Sequence, residues 1–425
     1  MDTMMLPVVV RGNRWFWFNS RGSYSDRWRF ILQQLLALAV RSRITTLELV
    51  CVADIALDGL GDVLALCPGL LQLHVHSNGM LGPSATGVLA GMLGNLRLLT
   101  RLALRRNGMG GEGVRRLAEV LPLFPVLARL DVSCNELGVD GTLALAPGLA
   151  QCAALSHLDV GFNHIGEAAG ESLGWALAQC AALTHLDLAE NGLSDLHGLG
   201  EELAQCAALT HVILAGNELS GDGVAALAEV LSCSRLQFLD LRGCVRAHSL
   251  AEGLGQCTSL TELKMDYNRI QGPVAVQYAR ALQGCMSLAR LDLRGNEFNM
   301  HATAGLSGLL PQYAALVELR LPFNSIRVLG ARVLLAAAAG CAALRHLDLH
   351  NNYIRDEYRV HKVWPKSGGH SGSFLQMLDA LSQCTALTRL NLSYNDFSDE
   401  AVERLLACWG GCAGGLVLDD LSQLI

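Results

Sequence analysis

Residues 179–193, which read QCAALTHLDLAENGL, place a thiol, an imidazole and a carboxylate close together in the sequence. Cys180, His185 and Asp187 lie within eight residues of one another. A cysteine beside a histidine base is a common nucleophilic arrangement, and the same three residue types bind zinc. The segment therefore raises two hypotheses, a catalytic cysteine and a metal site, which the elements around it must support or exclude.

The same segment recurs along the chain. Copies begin at Gln151 (QCAALSHLDVGFNHI) and Gln205 (QCAALTHVILAGNEL), with weaker copies at Leu288 and Leu344, and the shared pattern is L-x-x-L-x-L-x-x-N-x-apolar. The asparagines that mark the register are Asn78, Asn107, Asn135, Asn163, Asn191, Asn217, Asn268, Asn296, Asn324, Asn352 and Asn395, with Cys244 in place of one asparagine. Most successive spacings are 28 residues, the shortest is 24 and the last is 43, so the chain is a repeat array.

The pattern and its period resemble those of the leucine-rich-repeat family, in its long ribonuclease-inhibitor-like subtype, over residues 44 to 425. About thirteen repeats of about 28 residues are expected. In each, L-x-L predicts a short strand, and the spacing of Val114, Leu117, Ala118 and Leu121 is typical of a helix. Because parallel strands stack more closely than helices pack, we expect an α/β solenoid, a curved horseshoe with a concave parallel β-sheet and convex helices.

The repeat register also predicts the boundaries of the chain's parts. We expect an N-terminal cap over residues 1–43, repeats over 44–415 and a C-terminal cap over 416–425, with an insertion loop at about 353–373 in the overlong last spacing. Residues 1–43 carry seven arginines against two aspartates, a net charge of +5, and contain the apolar patch WFWF. A packed cap explains this segment, with a docking segment and a transit peptide as alternatives.

The repeat decides whether the cysteine is a catalytic residue, a metal ligand or part of the core. Nine of the fourteen cysteines lie three residues before the first leucine of a repeat: Cys67, Cys152, Cys180, Cys206, Cys233, Cys257, Cys285, Cys341 and Cys384. A small apolar residue that returns in the same structural position is expected to be buried packing. His185 and Asp187 alternate with leucines, so they face the opposite side of the strand. The sequence therefore predicts no catalytic group, no cofactor and no metal site, and the free thiols predict a reducing, cytoplasmic compartment, with a ciliary location as an alternative.

Composition excludes other classes of partner. The net charge of −7 gives no basic surface for nucleic acid, and the longest uncharged apolar run, residues 333–344, is too short for a bilayer helix. The chain has no glycine-rich phosphate-binding loop and no nucleophile elbow, so we expect neither a small-molecule substrate nor enzymatic activity.

The side chains that alternate with the strand leucines are predicted to form the binding face for a protein partner. They comprise aspartates in the strands and aromatic residues just beyond them: Asp131, Asp159, Phe162, Asp187, Asp240, Tyr267, Asp292, Phe323, Asp348 and Tyr394. The aspartates have a second interpretation, in which they only pair with neighbouring Arg and His side chains. Tyr358, Arg359 and Trp364 of the insertion loop are further candidates, because the repeat does not require them.

The resemblance implies a non-enzymatic protein-protein interaction scaffold, because members of the family include enzyme inhibitors and innate-immune receptor arrays. A structural subunit of a large assembly, such as a ciliary or axonemal complex, is one alternative. Another is a regulator of a small GTPase similar to the Ran GTPase-activating proteins, for which Arg105, Arg106 and Asn107 are the residues that match. The chain departs from that branch in its neutral C-terminus, LSQLI.

Overall fold

The computed structural model describes residues 6–11, 14–18, 33, 35–36, 44–50, 60–76, 82–233, 235–244, 250–356, 372–409 and 415–418. The chain divides into two compact units, Met1–Asn217 and Glu218–Ile425. In each unit, short strands alternate with helices along the chain, and each strand pairs with the strand of the neighbouring repeat. The prediction of an α/β solenoid with a parallel sheet is confirmed.

The first unit begins with an antiparallel hairpin and continues with seven parallel strands. Its strands are β1 (Leu6–Arg11), β2 (Arg14–Phe18), β3 (Thr46–Val50), β4 (Gln72–His76), β5 (Arg101–Ala103), β6 (Arg129–Asp131), β7 (His157–Asp159), β8 (His185–Asp187) and β9 (His211–Ile213). Its described helices are α1 (Leu60–Ala65), α2 (Gly82–Leu93), α3 (Gly110–Val120), α4 (Gly138–Leu149), α5 (Gly170–Gln179) and α6 (His197–Gln205).

The second unit repeats the same architecture. Its strands are β10 (Phe238–Asp240), β11 (Glu262–Lys264), β12 (Arg290–Asp292), β13 (Glu318–Arg320), β14 (His346–Asp348), β15 (Arg389–Asn391) and β16 (Gly415–Val417). Its described helices are α7 (Gly221–Cys233), α8 (Leu250–Leu254), α9 (Gly272–Ala281), α10 (Met300–Ser307), α11 (Arg327–Ala339), α12 (Gly372–Ser382) and α13 (Asp399–Trp409). The irregular repeat of Cys244 has the short α-helix α8.

The leucines of the pattern form the core because the strands stack in register. Leu102, Leu130, Leu158 and Leu186 are paired on successive strands, and each is at most 2% exposed. A strand places successive side chains on opposite faces, so the residues on either side of each leucine point away from this core. We call that side of the sheet, in each unit, the open face.

The register asparagines connect neighbouring repeats to one another. Asn163 Oδ1 accepts a hydrogen bond of 2.8 Å from the backbone N–H of Asn135, while its Nδ2 donates to the carbonyls of Val132 and Val160. The same bond links Asn107 to Asn135 and Asn163 to Asn191, all of them fully buried. Each amide therefore satisfies backbone groups of two repeats at once, a connection that the spacing of the asparagines in the sequence does not show by itself. We call this row of register asparagines the asparagine ladder.

The cysteine column is packing, as the register indicated. Cys180 is 2% exposed, and its thiol donates to the carbonyls of Ala176 and Leu149 at 3.5 and 3.4 Å. Burial raises the pKa of Cys180 to about 12 and that of Cys152 to about 11, so neither forms a thiolate nucleophile near neutral pH. Cys206 departs from the prediction because it is only half-buried, and the side chain of Cys233 lies outside the described residues.

The two ends of the array are only partly described. Strands β1 and β2 pair with each other, and β1 also pairs antiparallel with β3, so the aromatic start of the chain forms strands that its sequence did not reveal. Tyr358, Arg359 and Trp364 lie outside the described residues, so the insertion loop remains a prediction, as do the boundaries of the two caps. Within the described part of the chain, no helix combines the length and apolarity that crossing a membrane requires.

Candidate protein-binding face

The aspartates of the open face have a structural function at the ends of the strands. The Oδ1 atoms of Asp131, Asp159 and Asp187 each accept a hydrogen bond of 2.9–3.0 Å from the backbone N–H two residues later. In the second unit the same bond is made by Asp240, Asp292, Asp348 and Asn391. The column therefore satisfies the second N–H beyond each of these seven strands, which is a role that the repeat pattern did not reveal.

Three of these carboxylates stand next to one another in the first unit. Asp159 is the register partner of Asp131 on one side and of Asp187 on the other. Burial, followed by the charges of Asp131 and Asp187, raises the pKa of Asp159 to about 7, against the opposing effects of the Gly161 N–H and Arg105. We call these three residues the carboxylate ladder. Repulsion among the three carboxylates lowers the stability of the folded chain, and a cationic group placed beside them would reduce that loss.

A column of stacked histidines runs beside the carboxylate ladder. The rings of His157, His185 and His211 lie parallel within 14°, with centroids 4.0 Å apart. Parallel rings direct their Nε2 atoms the same way, so the three do not converge on one ion. This stack is the structural outcome of a histidine repeated in register on three adjacent strands.

The hydroxyl before each histidine determines which ring nitrogen carries the proton. Thr184 Oγ1 lies 2.9 Å from the carbonyl of Ser156 and 2.8 Å from Nδ1 of His185. A hydroxyl has one proton, and the carbonyl can only accept, so the hydroxyl donates to the carbonyl and His185 Nδ1–H donates to the hydroxyl. Ser156 and Thr210 repeat the geometry for His157 and His211. The Nε2 atoms are thus left as acceptors.

We expect His185 to remain neutral with its proton on Nδ1 down to unusually low pH. Burial, then the neighbouring His211, His157 and Arg129, lowers its pKa to about 4. Nitrogen chemical shifts of the labelled histidines, assigned with His185→Gln, measure both the tautomer and the titration. Thr184→Val removes the acceptor for Nδ1–H, so this variant should show a mixture of tautomers. Protonation of His185 near its ordinary pKa would contradict the expectation.

The open face of the second unit carries a charge network that is internally compensated. Arg290 lies between Glu262 and Glu318 at 3.2 and 3.6 Å, and Arg320 contacts Glu318 and Asp292 at 2.6 and 3.7 Å. Lys264 completes the network at 3.4 Å from Glu262 and lies over the ring of Phe238. These three carboxylates and three cations support the alternative that the charged residues there chiefly pair with one another.

The four predicted aromatic anchors are exposed and share an unusual backbone conformation. Phe162, Tyr267, Phe323 and Tyr394 are 50%, 57%, 44% and 67% exposed, and each directly precedes a register asparagine. Their φ angles are 54–58°, in the left-handed region that favours glycine. Repeats elsewhere in the chain place Gly216, Gly243 and Gly295 at the same position, with φ of 64–72°. We call this position the left-handed column.

Two contacts position these aromatic rings. The ring of Tyr267 lies against Gly295, where an added Cβ would come within 2.5 Å of Cδ1 of the tyrosine. His350 stacks edge-on between Phe323 and Tyr394, with centroid separations of 4.9 and 4.7 Å, and its Nδ1 is 2.7 Å from Ser393 Oγ. The sequence analysis missed His350 as a member of this cluster, although its place two residues before Asn352 puts it on the open face.

The structure also places the residues of the GTPase-regulator alternative. Arg105 lies near Cys134, Asp131 and Asp159, which raise its pKa, with Cys134 as the largest cause. It therefore serves as a counter-charge for the carboxylate ladder. Arg106 is exposed in the left-handed column with a φ of 58°, and Asn107 is buried in the asparagine ladder.

Comparison with known proteins agrees with this geometry. Residues 95–118, 125–146, 205–228 and 383–406 match a family model described as Leucine Rich repeat. The solved structure of a leucine-rich-repeat protein from Leptospira interrogans superimposes with a TM-score of 0.54 and 19% identity, over 92% of this chain and 98% of the other. No curated protein sequence matches the chain significantly. The structural likeness concerns the fold alone.

Proposed function

We propose that this protein is a leucine-rich-repeat scaffold without enzymatic activity, which binds a protein partner through the open faces of its sheets. Aromatic residues and Arg are enriched in protein interfaces, and Phe162, Tyr267, Phe323 and Tyr394 are exposed at the ends of the strands that form these faces. We further propose that its repeats, about thirteen in number, are of the ribonuclease-inhibitor-like subtype. The free described cysteines support a reducing, cytoplasmic location.

The observation that carries the proposal is the set of exposed aromatic side chains in the left-handed column. A left-handed conformation costs a residue with a side chain about 1–2 kcal/mol, whereas glycine adopts it freely. The chain has glycine at this position in three repeats, an exposed Phe or Tyr in four, and Arg106, Cys134, Glu190 and Asn351 in four others. The turn therefore accepts several residue types and does not require a large exposed ring, so contact with a partner is the role we assign to the four aromatic side chains.

Replacing Phe162, Tyr267, Phe323 and Tyr394 together with glycine is therefore expected to separate stability from binding. The free energy of unfolding should stay the same or rise, because relief of strain offsets the loss of exposed contacts. Affinity for the partner should fall at least about 30-fold, the effect of losing an anchor worth about 2 kcal/mol. Urea unfolding measures the first quantity and calorimetry with the purified partner measures the second.

The partner is first captured from native lysate with the wild-type chain and then purified. Glu190→Gly with Asn351→Gly is the matched control, because both residues occupy the left-handed column without an aromatic ring. The proposal requires that this control retain the partner and that the aromatic variant lose it. Equal retention by both variants would contradict the proposal.

A further inference from the structure

Three potential metal ligands of the first unit converge at strands β3 and β4. Glu48 and His74 are register partners on these strands, and His76 follows His74 by two residues on the same face. One ligand atom from each residue lies within 4.8 Å of the ligand atoms of the other two. The rings of His74 and His76 are nearly perpendicular, at 87°, with centroids 5.9 Å apart. They therefore differ from the parallel histidine stack, whose rings do not converge.

One atom of this cluster lacks a partner within the described part of the chain. Nε2 of His74 is inaccessible to solvent and makes no hydrogen bond there. A buried polar nitrogen without a partner costs free energy, and a bound ion is one of the partners that removes the cost.

The next strand brings no carboxylate to the cluster. The residue of β5 that pairs with His74 is Ala103, in the column where β6, β7 and β8 carry aspartates. Ala103 is 1% exposed and offers no ligand atom. Glu48 is therefore the one carboxylate of the cluster.

We propose that Glu48, His74 and His76 bind one Zn²⁺ ion, with a fourth coordination position open to water or to a donor from another molecule. Two imidazoles and a carboxylate suit zinc rather than Mg²⁺ or Ca²⁺, which select oxygen ligands. Zinc bonds of about 2.0–2.2 Å separate tetrahedral ligand atoms by roughly 3.3 Å. Small rotations of the three side chains bring the observed cluster to that spacing. The ion would link the first two repeat strands.

This inference departs from the expectation of no metal site. The sequence did not reveal it because Glu48 is 26 residues away from His74, and only the strand register brings the two together. The inference is independent of the proposed function, because zinc can bind to these three residues whether or not the chain binds a protein partner.

Zinc binding to the full chain, kept reduced with a phosphine, tests the proposal by competition with a chromophoric chelator. The wild type is expected to bind one Zn²⁺ per chain at this site, and Glu48→Gln, His74→Gln and His76→Gln should each weaken that binding at least about tenfold. Loss of an outer-shell partner alone has an effect of about 10–100-fold, so loss of a ligand should have no less. His346→Gln is the matched control, a histidine of β14 outside the cluster, and should leave the affinity unchanged.

Two further measurements keep the result interpretable. Circular dichroism identifies any variant that fails to fold. If His74→Gln does not fold, His76→Gln and Glu48→Gln still test the site. Absorption of the Co²⁺ complex distinguishes nitrogen and oxygen ligands from thiolates, which produce an intense charge-transfer band in the near ultraviolet. Zinc affinity that is unchanged in folded variants would overturn the proposal. A thiolate band that persists in the variants would overturn it too, because a cysteine would then hold the metal.

Discussion

Replacing Asn163 with alanine is expected to lower the free energy of unfolding by about 2–4 kcal/mol. The substitution removes the acceptor of the buried N–H of Asn135, at 2.8 Å, together with donors to the carbonyls of Val132 and Val160. Both carbonyls keep a second amide donor, from Asn135 and Asn191. The unpaired N–H and the cavity therefore account for most of the loss.

Urea unfolding measures the change, and hydrogen exchange at the amide of Asn135 localises it. Asn163→Asp keeps the acceptor but buries a carboxylate oxygen against the carbonyls of Val132 and Val160, so it should lose at least as much stability as the alanine variant. Asn299→Ala is the matched control, since Asn299 only caps helix α10 through the amides of His301 and Ala302. That loss should be about 1 kcal/mol. Equal losses at positions 163 and 299 would show that the asparagine ladder contributes no more than an ordinary cap.

Replacing Asp159 with asparagine is expected to stabilise the protein at pH 8 by about 1–3 kcal/mol. The pKa of Asp159 is raised to about 7 by burial and by its two aspartate neighbours, against 3.8 as the ordinary value. The full shift corresponds to about 4 kcal/mol, which solvent at this partly exposed carboxyl reduces. Asparagine keeps an acceptor for the N–H of Gly161 and removes the charge, as Asn391 shows naturally in the same column.

The pH dependence has a definite sign. Between pH 4 and pH 7 the folded chain binds more protons at Asp159 than the unfolded chain does, so this residue makes stability fall as pH rises through that window. The difference between Asp159→Asn and the wild type should be near zero at pH 4 and reach its full value above pH 7. Urea unfolding at several pH values measures it, and a difference independent of pH would contradict this assignment.

A second aspartate provides the control for the loss of one charge. Asp348 makes the same strand-end hydrogen bond, to the N–H of His350, but its register partners are Arg320 and Asn391 rather than aspartates. Asp348→Asn should therefore bring no stabilisation. Stabilisation at Asp159 alone would identify burial together with repulsion within the carboxylate ladder as the cause, and would show that the chain keeps these charges at a cost in stability.

Much of the fold could be predicted because one repeat unit carries the information for all of them. The alternation in LxL decides which side chains are buried, and the recurrence of about 28 residues decides the register, so Cys180 was correctly separated from His185 and Asp187. The hairpin of β1 and β2 could not be predicted this way, since it lies outside the repeat and its pairing with β3 is a tertiary contact.

The candidate face was predicted less completely, because side chains on it interact across strands. The sequence identified the exposed aromatic residues by their place beside the asparagines, but not their left-handed backbone or the contact of Tyr267 with Gly295. The sequence left two roles open for the aspartates, contact with a partner and pairing with neighbouring Arg and His side chains. The structure adds a third, the hydrogen bond from the N–H two residues later. Periodicity assigns a face to a residue, whereas hydrogen bonds depend on distances between strands.

What the sequence by itself determined is therefore the unit: its strand, its helix, its buried leucines and cysteines, and the order in which units follow. Only the tertiary structure decided which residues of different units meet. It stacks three histidines, raises the pKa of Asp159 by burial and by two neighbouring like charges, and gathers Glu48, His74 and His76 at one place. The physical reason is that short-range periodicity sets the direction of a side chain, while electrostatics and coordination depend on separations that stacking alone creates.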